Sequence, residues 1–227
     1  MLCVHFGRHN PNYDYFLGNN RITNFDSVVD LGVLITNDLK PSAQCLRMIS
    51  KAQRMLSTLK LAFKHVDTVA FTILYKAFVL PLIDYCGAAW CPFYAKDIDA
   101  LEKVQRRFTK ILPTHRHLPY DERLVKYNIC SLYARRLKFD LLCVYKIVHG
   151  FLDLSPGTFF NFDTDSRTRG HKFKIKYKCS RLDIRKFWFT SRVISMWNNL
   201  PSTCVEARSV GSFKMKLHEH FLSLGIN

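Results

Sequence analysis

The residues of this chain that can do chemistry are its cations. Lys103–Lys138 carries Lys103, Arg106, Arg107, Lys110, Arg116, Arg123, Lys126, Arg135, Arg136 and Lys138 against Asp121 and Glu122. Arg167–Arg192 carries Arg167, Arg169, Lys172, Lys174, Lys176, Lys178, Arg181, Arg185, Lys186 and Arg192 against Asp183 alone. Cations on one side of a rigid element, spaced along it, are what phosphate backbones require. Phe173, Tyr177, Phe187, Trp188 and Phe189 interleave with the second group, and single-stranded bases stack on such rings. A solvated basic face and rings packed in a core are the plainer reading, and residue type alone leaves both open. Base readout needs edge contacts that these residues do not specify.

Catalytic arrangements are harder to find. Two-metal phosphoryl transfer needs converging carboxylates. The acids at Asp121–Glu122 open a helical pattern, where the helix dipole favours them. The i, i+2 pairs Asp97/Asp99 and Asp163/Asp165 suit a helix start and a turn. There is no GxSxG, HExxH or GxxxxGK[ST]. His115 and His117 lack a Cys or acid at ligand spacing, and Cys86 and Cys91 lack a second pair, so no metal or other cofactor is expected. His5 and His171 sit beside glycines and fit structural or phosphate-facing roles. Cys3 has no identifiable base.

The bulk composition agrees with a binding protein. Lys and Arg number 34 and Asp and Glu 18, a formal net charge of +16, which raises affinity for polyanions. Apolar residues make up 48% of the 227, enough for a buried core. MLCVHFGRHN is no signal peptide, so a cytoplasmic or nuclear protein with eight free thiols is expected, not a secreted one. No apolar run reaches the roughly 18–20 residues of a membrane span. Ala70–Ala89 comes nearest, interrupted by Lys76, Pro81 and Asp84.

The elements that must position the cations change character along the chain. Residues 1–37 read as β-rich: strands at Leu2–Phe6 and Leu31–Thr36, and a hairpin about Gly18–Asn19–Asn20. From Pro41 the period becomes 3.6. Ala43, Leu46, Ile49, Ala52, Leu56, Leu59 and Phe63 form one face of a first helix, with Arg47, Lys51, Arg54 and Lys60 away from it. Helices follow over Thr68–Leu80, which Pro81 should kink or end, and over Lys96–Leu112 with Ile98, Leu101, Val104, Phe108, Ile111 and Leu112 inward. The next begins near Pro119–Glu122. Another spans Ser131–His149, turning in Leu137, Leu141, Val144, Tyr145 and Val148. Residues 151–167 read as a loop and the main internal boundary. His171–Cys179 alternates and predicts a strand with a lysine face. Phe187–Asn198 and Ser209–Leu222 read as amphipathic helices. The expected class is α+β, mainly α: a β-rich segment 1–37, a helical domain 38–150 and a basic subdomain 166–227.

A series of short signatures runs in fixed order: HFGR (His5–Arg8), DLGVLI (Asp30–Ile35), KAQRML (Lys51–Leu56), YKAFVLPLIDYC with AAW (Tyr75–Trp90), LEKVQRRFTKIL (Leu101–Leu112), YDERL (Tyr120–Leu124), TRGH (Thr168–His171) and MWNNLPSTCVEARSVGSFKMKL (Met196–Leu217). Each is weak alone. Their order and spacing resemble the region after the catalytic core in reverse transcriptases of LINE-type (non-LTR) retrotransposons, of the Jockey/CR1-like kind. The resemblance covers roughly residues 1–222. It implies the end of a palm at Cys3–Gly7, a primer-grip-like hairpin at Leu31, Gly32 and Val33, and a helical thumb-like domain in which Lys51 and Arg54 contact phosphate. A less characterised C-terminal extension would follow.

The family's aromatic–Ala–Asp–Asp box is absent from this sequence, so the metal-binding aspartates would lie upstream of Met1. The resemblance therefore implies descent from an RNA-directed DNA polymerase without activity in this chain alone. The expected partners are RNA or DNA, bound non-specifically through Lys51, Arg54, Lys103, Arg106, Arg107, Lys110, Lys172, Lys174, Lys176, Lys178, Arg185 and Lys186, and an upstream polymerase palm. A relic that barely folds, and a protein or lipid interaction module built on the two C-terminal amphipathic helices, are the alternatives.

Overall fold

In a computed structural model the described residues are 2–7, 10–63, 65–163 and 170–226. Arg8 of HFGR, Thr168 and Arg169 of TRGH, and Asp165 and Arg167 lie outside them. The class is mainly-α α+β, with short strands near the N-terminus followed by helices.

Three small two-stranded sheets come first. β1 (Leu2–Cys3) pairs in parallel with β4 (Thr23–Asn24). β2 (Phe16–Leu17) and β3 (Asn20–Arg21) close an antiparallel hairpin over Gly18–Asn19. β5 (Ser27–Asp30) and β6 (Val33–Thr36) form the longest hairpin. Leu31 and Gly32 are thus its two-residue turn and not the start of a strand.

α1 (Ser42–Ala62) follows. It buries Cys45 and Met48 alongside Ile49, Ala52, Leu56 and Leu59. Leu46, expected on that face, is 62% exposed. α1 packs against β6 as well as against the later helices, which turns a different arc inward. Gln44, completely buried, accepts a hydrogen bond from the Leu34 amide at 2.9 Å and ties helix to hairpin.

Asp67 accepts from the Ala70 amide and caps α2 (Thr68–Leu74). The helical path then widens into a π turn, Tyr75–Val79, and continues as α3 (Leu80–Asp84). Pro81 therefore does not end the helix. Its ring and missing N–H fall just after the wide turn, where an α-helical ladder is already broken. α4 (Gly87–Trp90) and α5 (Ala95–Phe108) follow. A 3₁₀ turn at Pro113–His115 leads to α6 (Tyr120–Lys126), whose first turn carries Asp121 and Glu122. Phe108 stacks on Tyr75, centroids 3.8 Å apart, and on Phe71 at 5.5 Å; these rings centre the first core, built from residues 33–132.

Ser131 caps α7 (Leu132–Val148) through the Ala134 amide, and Gly150, at φ +69°, reverses the chain after it. The C-terminal half of α7 enters a second core with Trp197, Phe213, Leu217 and Phe221. Residues 151–163 are more than a loop. They include α8 (Pro156–Phe159) and the buried Phe160, and Phe162 bridges Ile175. That single bridge is all the pairing His171–Cys179 obtains among the described residues, so the alternating segment is extended chain and not a regular strand.

Trp197 and Asn198 supply what a neighbouring strand would. The Trp197 indole N–H donates to the Phe173 carbonyl at 2.8 Å. The Asn198 amide accepts from the Ile175 N–H and donates to its C=O, at 2.9 and 2.8 Å. The region expected as one helix at 187–198 is broken into α10 (Phe189–Arg192) and α11 (Ile194–Asn198), preceded by α9 (Asp183–Lys186). α12 (Ser202–Val205) and α13 (Val210–Ser223), the latter capped by Ser209, complete the chain.

The two cores meet along α7 and through Arg192. Its guanidinium grips Asp140 with two hydrogen bonds (2.8 and 2.9 Å) and reaches the Ala88 carbonyl at 3.2 Å. Burial works against the Arg192 charge, but the Asp140 hydrogen bonds together with the charges of Cys91, Asp140 and Cys143 outweigh it, and the pKa lies above its ordinary value.

Candidate nucleic-acid interface

The β5–β6 turn is where the first candidate residues converge. Leu31 and Gly32 both have positive φ, +44° and +83°, the backbone pattern that matches a two-residue turn to the twist of its strands. Glycine adopts it freely; leucine does not, and Leu31 is nevertheless 80% exposed. Two side chains hold the turn. The Tyr85 hydroxyl donates to the Leu31 carbonyl at 2.8 Å, and Arg47 Nη1 donates to the Gly32 carbonyl at 3.3 Å. A Cβ on Gly32 would lie 3.4 Å from the Tyr85 ring. Val33 faces the other way, into the first core.

Arg47 connects this turn to a line of cations. Arg47, Lys51 and Arg54 are spaced four and three apart on α1, hence on one side of it. At helical rise they follow one another at about 6 and 4.5 Å along the axis. From α5, Arg107 approaches the same helix, its Nη2 3.5 Å from the Ser57 hydroxyl. Among the described residues none of these four cations forms an ion pair with a carboxylate.

The outer face of α5 differs. Lys103 and Arg106 both bind Asp99, at 2.9 and 2.8 Å. Their hydrogen bonds hold the Asp99 carboxyl below the usual carboxylate range. Arg106 also lies over the Tyr120 ring. Lys110, just beyond α5, is exposed. This face therefore offers less unbalanced charge than its residue types indicate.

The C-terminal cations are spread over two segments. Lys172, Lys176 and Lys178 are exposed along the extended chain, whereas Lys174 is half-buried. Arg185 and Lys186 project from α9, with Lys186 over Phe187 and Phe187 stacked on Phe93 at 4.9 Å. Of the interleaved rings, Phe189 belongs to the second core. Tyr177 is 64% exposed, because pairing stops after Ile175. Trp188 is exposed as well.

Buried polar groups elsewhere serve the helix joints. Glu102 accepts from the Tyr120 hydroxyl and, at 3.1 Å, from the Leu132 amide at the start of α7. Gln105 accepts from Tyr75 at 3.0 Å and donates to Tyr120 and to the Cys130 carbonyl at 3.1 and 2.9 Å. Burial first, and then the Glu102 hydrogen bond, raise the Tyr120 pKa far above the ordinary phenol value. Every member of this group is occupied in joining α5, the π turn, α6 and α7. The eight cysteines are free, and burial pushes the Cys45 thiol up to about 12. Among the described residues no group of three His, Cys, Asp or Glu side chains is placed to hold a metal ion. No helix among them is long and apolar enough to cross a membrane.

Comparison with protein-family models, with curated proteins and with solved structures finds no match.

Proposed function

We propose that this chain binds nucleic acid non-specifically through α1 and the β5–β6 turn, as the thumb-like, non-catalytic part of a LINE-type reverse transcriptase. The observation that carries the reading is the line Arg47, Lys51 and Arg54, with Arg107 beside it and an exposed turn tip at its head. Such a surface follows a sugar-phosphate backbone on one side and leaves Leu31 free to touch a base or sugar. The order of sequence signatures adds the lineage. Template–primer or element RNA is the proposed ligand, met in the cytoplasm or nucleus, and a polymerase palm the proposed protein partner. Primer extension with the chain alone is expected to yield no product.

The test is anisotropy with a labelled RNA–DNA hybrid over about 50–200 mM salt. Four phosphate contacts give a log–log slope of about −3 to −4. Lys51→Glu with Arg54→Glu should weaken binding strongly and flatten the slope by about one per contact removed. Lys103→Glu with Arg106→Glu should do less, since Asp99 already offsets that face. Flat salt dependence, or no binding at low salt, would refute the proposal.

A further inference from the structure

A cleft of about 580 Å³ lies between the end of α7, the 172–173 segment and the 206–208 loop. Its size suits a ligand of small-molecule dimensions. Its walls are aromatic and already locked. The Tyr145 hydroxyl donates to the Ala207 carbonyl at 2.6 Å, and His149 Nε2 donates to the Val205 carbonyl at 2.9 Å. The His149 ring is thereby held between Tyr145 and Phe173, at 4.4 and 4.9 Å. The reversal at Gly150 returns the Phe151 ring to within 5.7 Å of Tyr145, leaving it 48% exposed. Around these rings stand two exposed cations, Lys172 and Arg208, and one exposed carboxylate, Glu206.

An aromatic wall, two cations and a single carboxylate form a set with one natural ligand class. Rings take the flat face of a base. Lysine and arginine take a phosphate. A carboxylate accepts from an exocyclic amine, as acidic side chains do from the cytosine amino group. We propose that this cleft seats one unstacked nucleotide unit. The base lies against the exposed Phe151 ring, and the phosphate sits on Arg208 and on Lys172, whose ammonium lies over Phe173. Glu206 then favours a base that carries an exocyclic amine over uracil. The nucleotide comes either from a single strand, in which case the site rests on the nucleic-acid reading above, or from a free nucleoside monophosphate.

The full chain separates these sources. Labelled oligo(C) and oligo(U) are titrated by anisotropy at about 50 mM salt, and CMP and UMP are titrated by NMR with the His149 ring resonances as readout. The expected result is a preference for oligo(C) of roughly five- to tenfold, the net scale of one ordinary hydrogen bond, because Glu206 is exposed to solvent. Glu206→Gln should bring that ratio near one. Phe151→Leu, which keeps an apolar contact to Tyr145, should weaken both oligomers several-fold with an unchanged thermal transition. Lys51→Glu with Arg54→Glu should weaken both and leave the ratio alone.

Equal binding of both oligomers, unaffected by Phe151→Leu and without a His149 response to CMP, overturns the cleft and leaves the α1 reading standing. A His149 response to CMP without oligomer binding supports the cleft as a free-nucleotide site and removes the α1 reading. No response to any of the four ligands overturns both.

Discussion

The two halves of this protein solve the same problem by different means. In the first, α1, α5 and the α2–π–α3 run satisfy their backbone polar groups along their own axes, and apolar faces close on Phe71, Tyr75 and Phe108. Polar side chains there join finished helices to one another. In the second, short helices and extended chain leave backbone groups open, and Trp197, Asn198 and His171 fill them from the side. A helical scaffold tolerates the loss of one surface side chain and holds Arg47, Lys51 and Arg54 at fixed spacing. A scaffold completed by side chains concentrates its vulnerability in a few polar atoms.

The sharpest test of that contrast is Trp197→Ala, which removes a completely buried ring and the bond to the Phe173 carbonyl together. Loss of a buried aromatic costs about 3–5 kcal/mol, and the orphaned carbonyl adds roughly 1–3 kcal/mol. Phe108→Ala, equally buried in the first core, should show only the former. Urea denaturation of the two variants measures the difference, and equal losses would erase the distinction.

Asn198→Ala comes next. It leaves the Ile175 N–H and C=O without their side-chain partner while changing little volume. A loss of about 1–3 kcal/mol is expected. Hydrogen exchange should quicken first at Ile175 and its neighbours and not in α1. A loss below about 0.5 kcal/mol, the range of ordinary surface changes, would mean that the bridge to Phe162 alone carries the segment.

The smallest effect is pH-dependent and confined to the second half. His171 donates from Nε2 to the Trp197 carbonyl at 3.0 Å, and its buried Nδ1 has no hydrogen-bond partner among the described residues. Burial lowers its pKa below the ordinary 6.5; the Trp197 hydrogen bond and Glu206 pull it up, and Lys174 pushes it down. The unfolded chain therefore binds the proton more readily than the folded one. The stabilisation is complete above about pH 6.5 and declines as pH falls from there through the folded pKa. His171→Gln, able to keep the bond to Trp197, should flatten the melting temperature between about pH 5 and 7. Parallel wild-type and variant curves would assign the acid sensitivity to another group.

Much of the helical scaffold was legible because its signals are local. Ser131 and Gly150 bracket α7, Ser209 opens α13, and the α5 period points Leu101, Val104 and Phe108 inward. What local signals miss depends for the most part on partners distant in sequence. Leu31 is apolar and reads as strand, but the hydroxyl and guanidinium that hold its turn come from Tyr85 and Arg47. The lysine alternation at 172–178 reads as strand, yet alternation specifies faces and not a partner, and Phe162 provides one bridge only. The burial of Glu102 and Gln105 carries no local signal, because Tyr120, Cys130 and Leu132 reach them only after folding. Of the candidate interface, Lys51 and Arg54 were visible as off-core cations, whereas Tyr85 carried no local signal. Opposite-charge pairing at four-residue spacing was available for Lys103, and Asp99 marks it.

The π turn at Tyr75–Val79 carries a consequence for how this chain can vary in length. A π turn holds one residue more than the α-helical turn it replaces. Each residue of an α-helix advances the side chains by about 100°. The wide turn takes up that extra residue, so Phe71 on one side and Leu80 and Ile83 on the other keep a common core face. Removing one residue between Tyr75 and Val79 would close the turn with those faces still in phase, and would bring the ring of Pro81 against a closed α-helical ladder. The segment thus works as a register absorber: a one-residue deletion there is a shortening that exposes the proline's cost, whereas the same deletion within α1 would rotate a core face by about 100°.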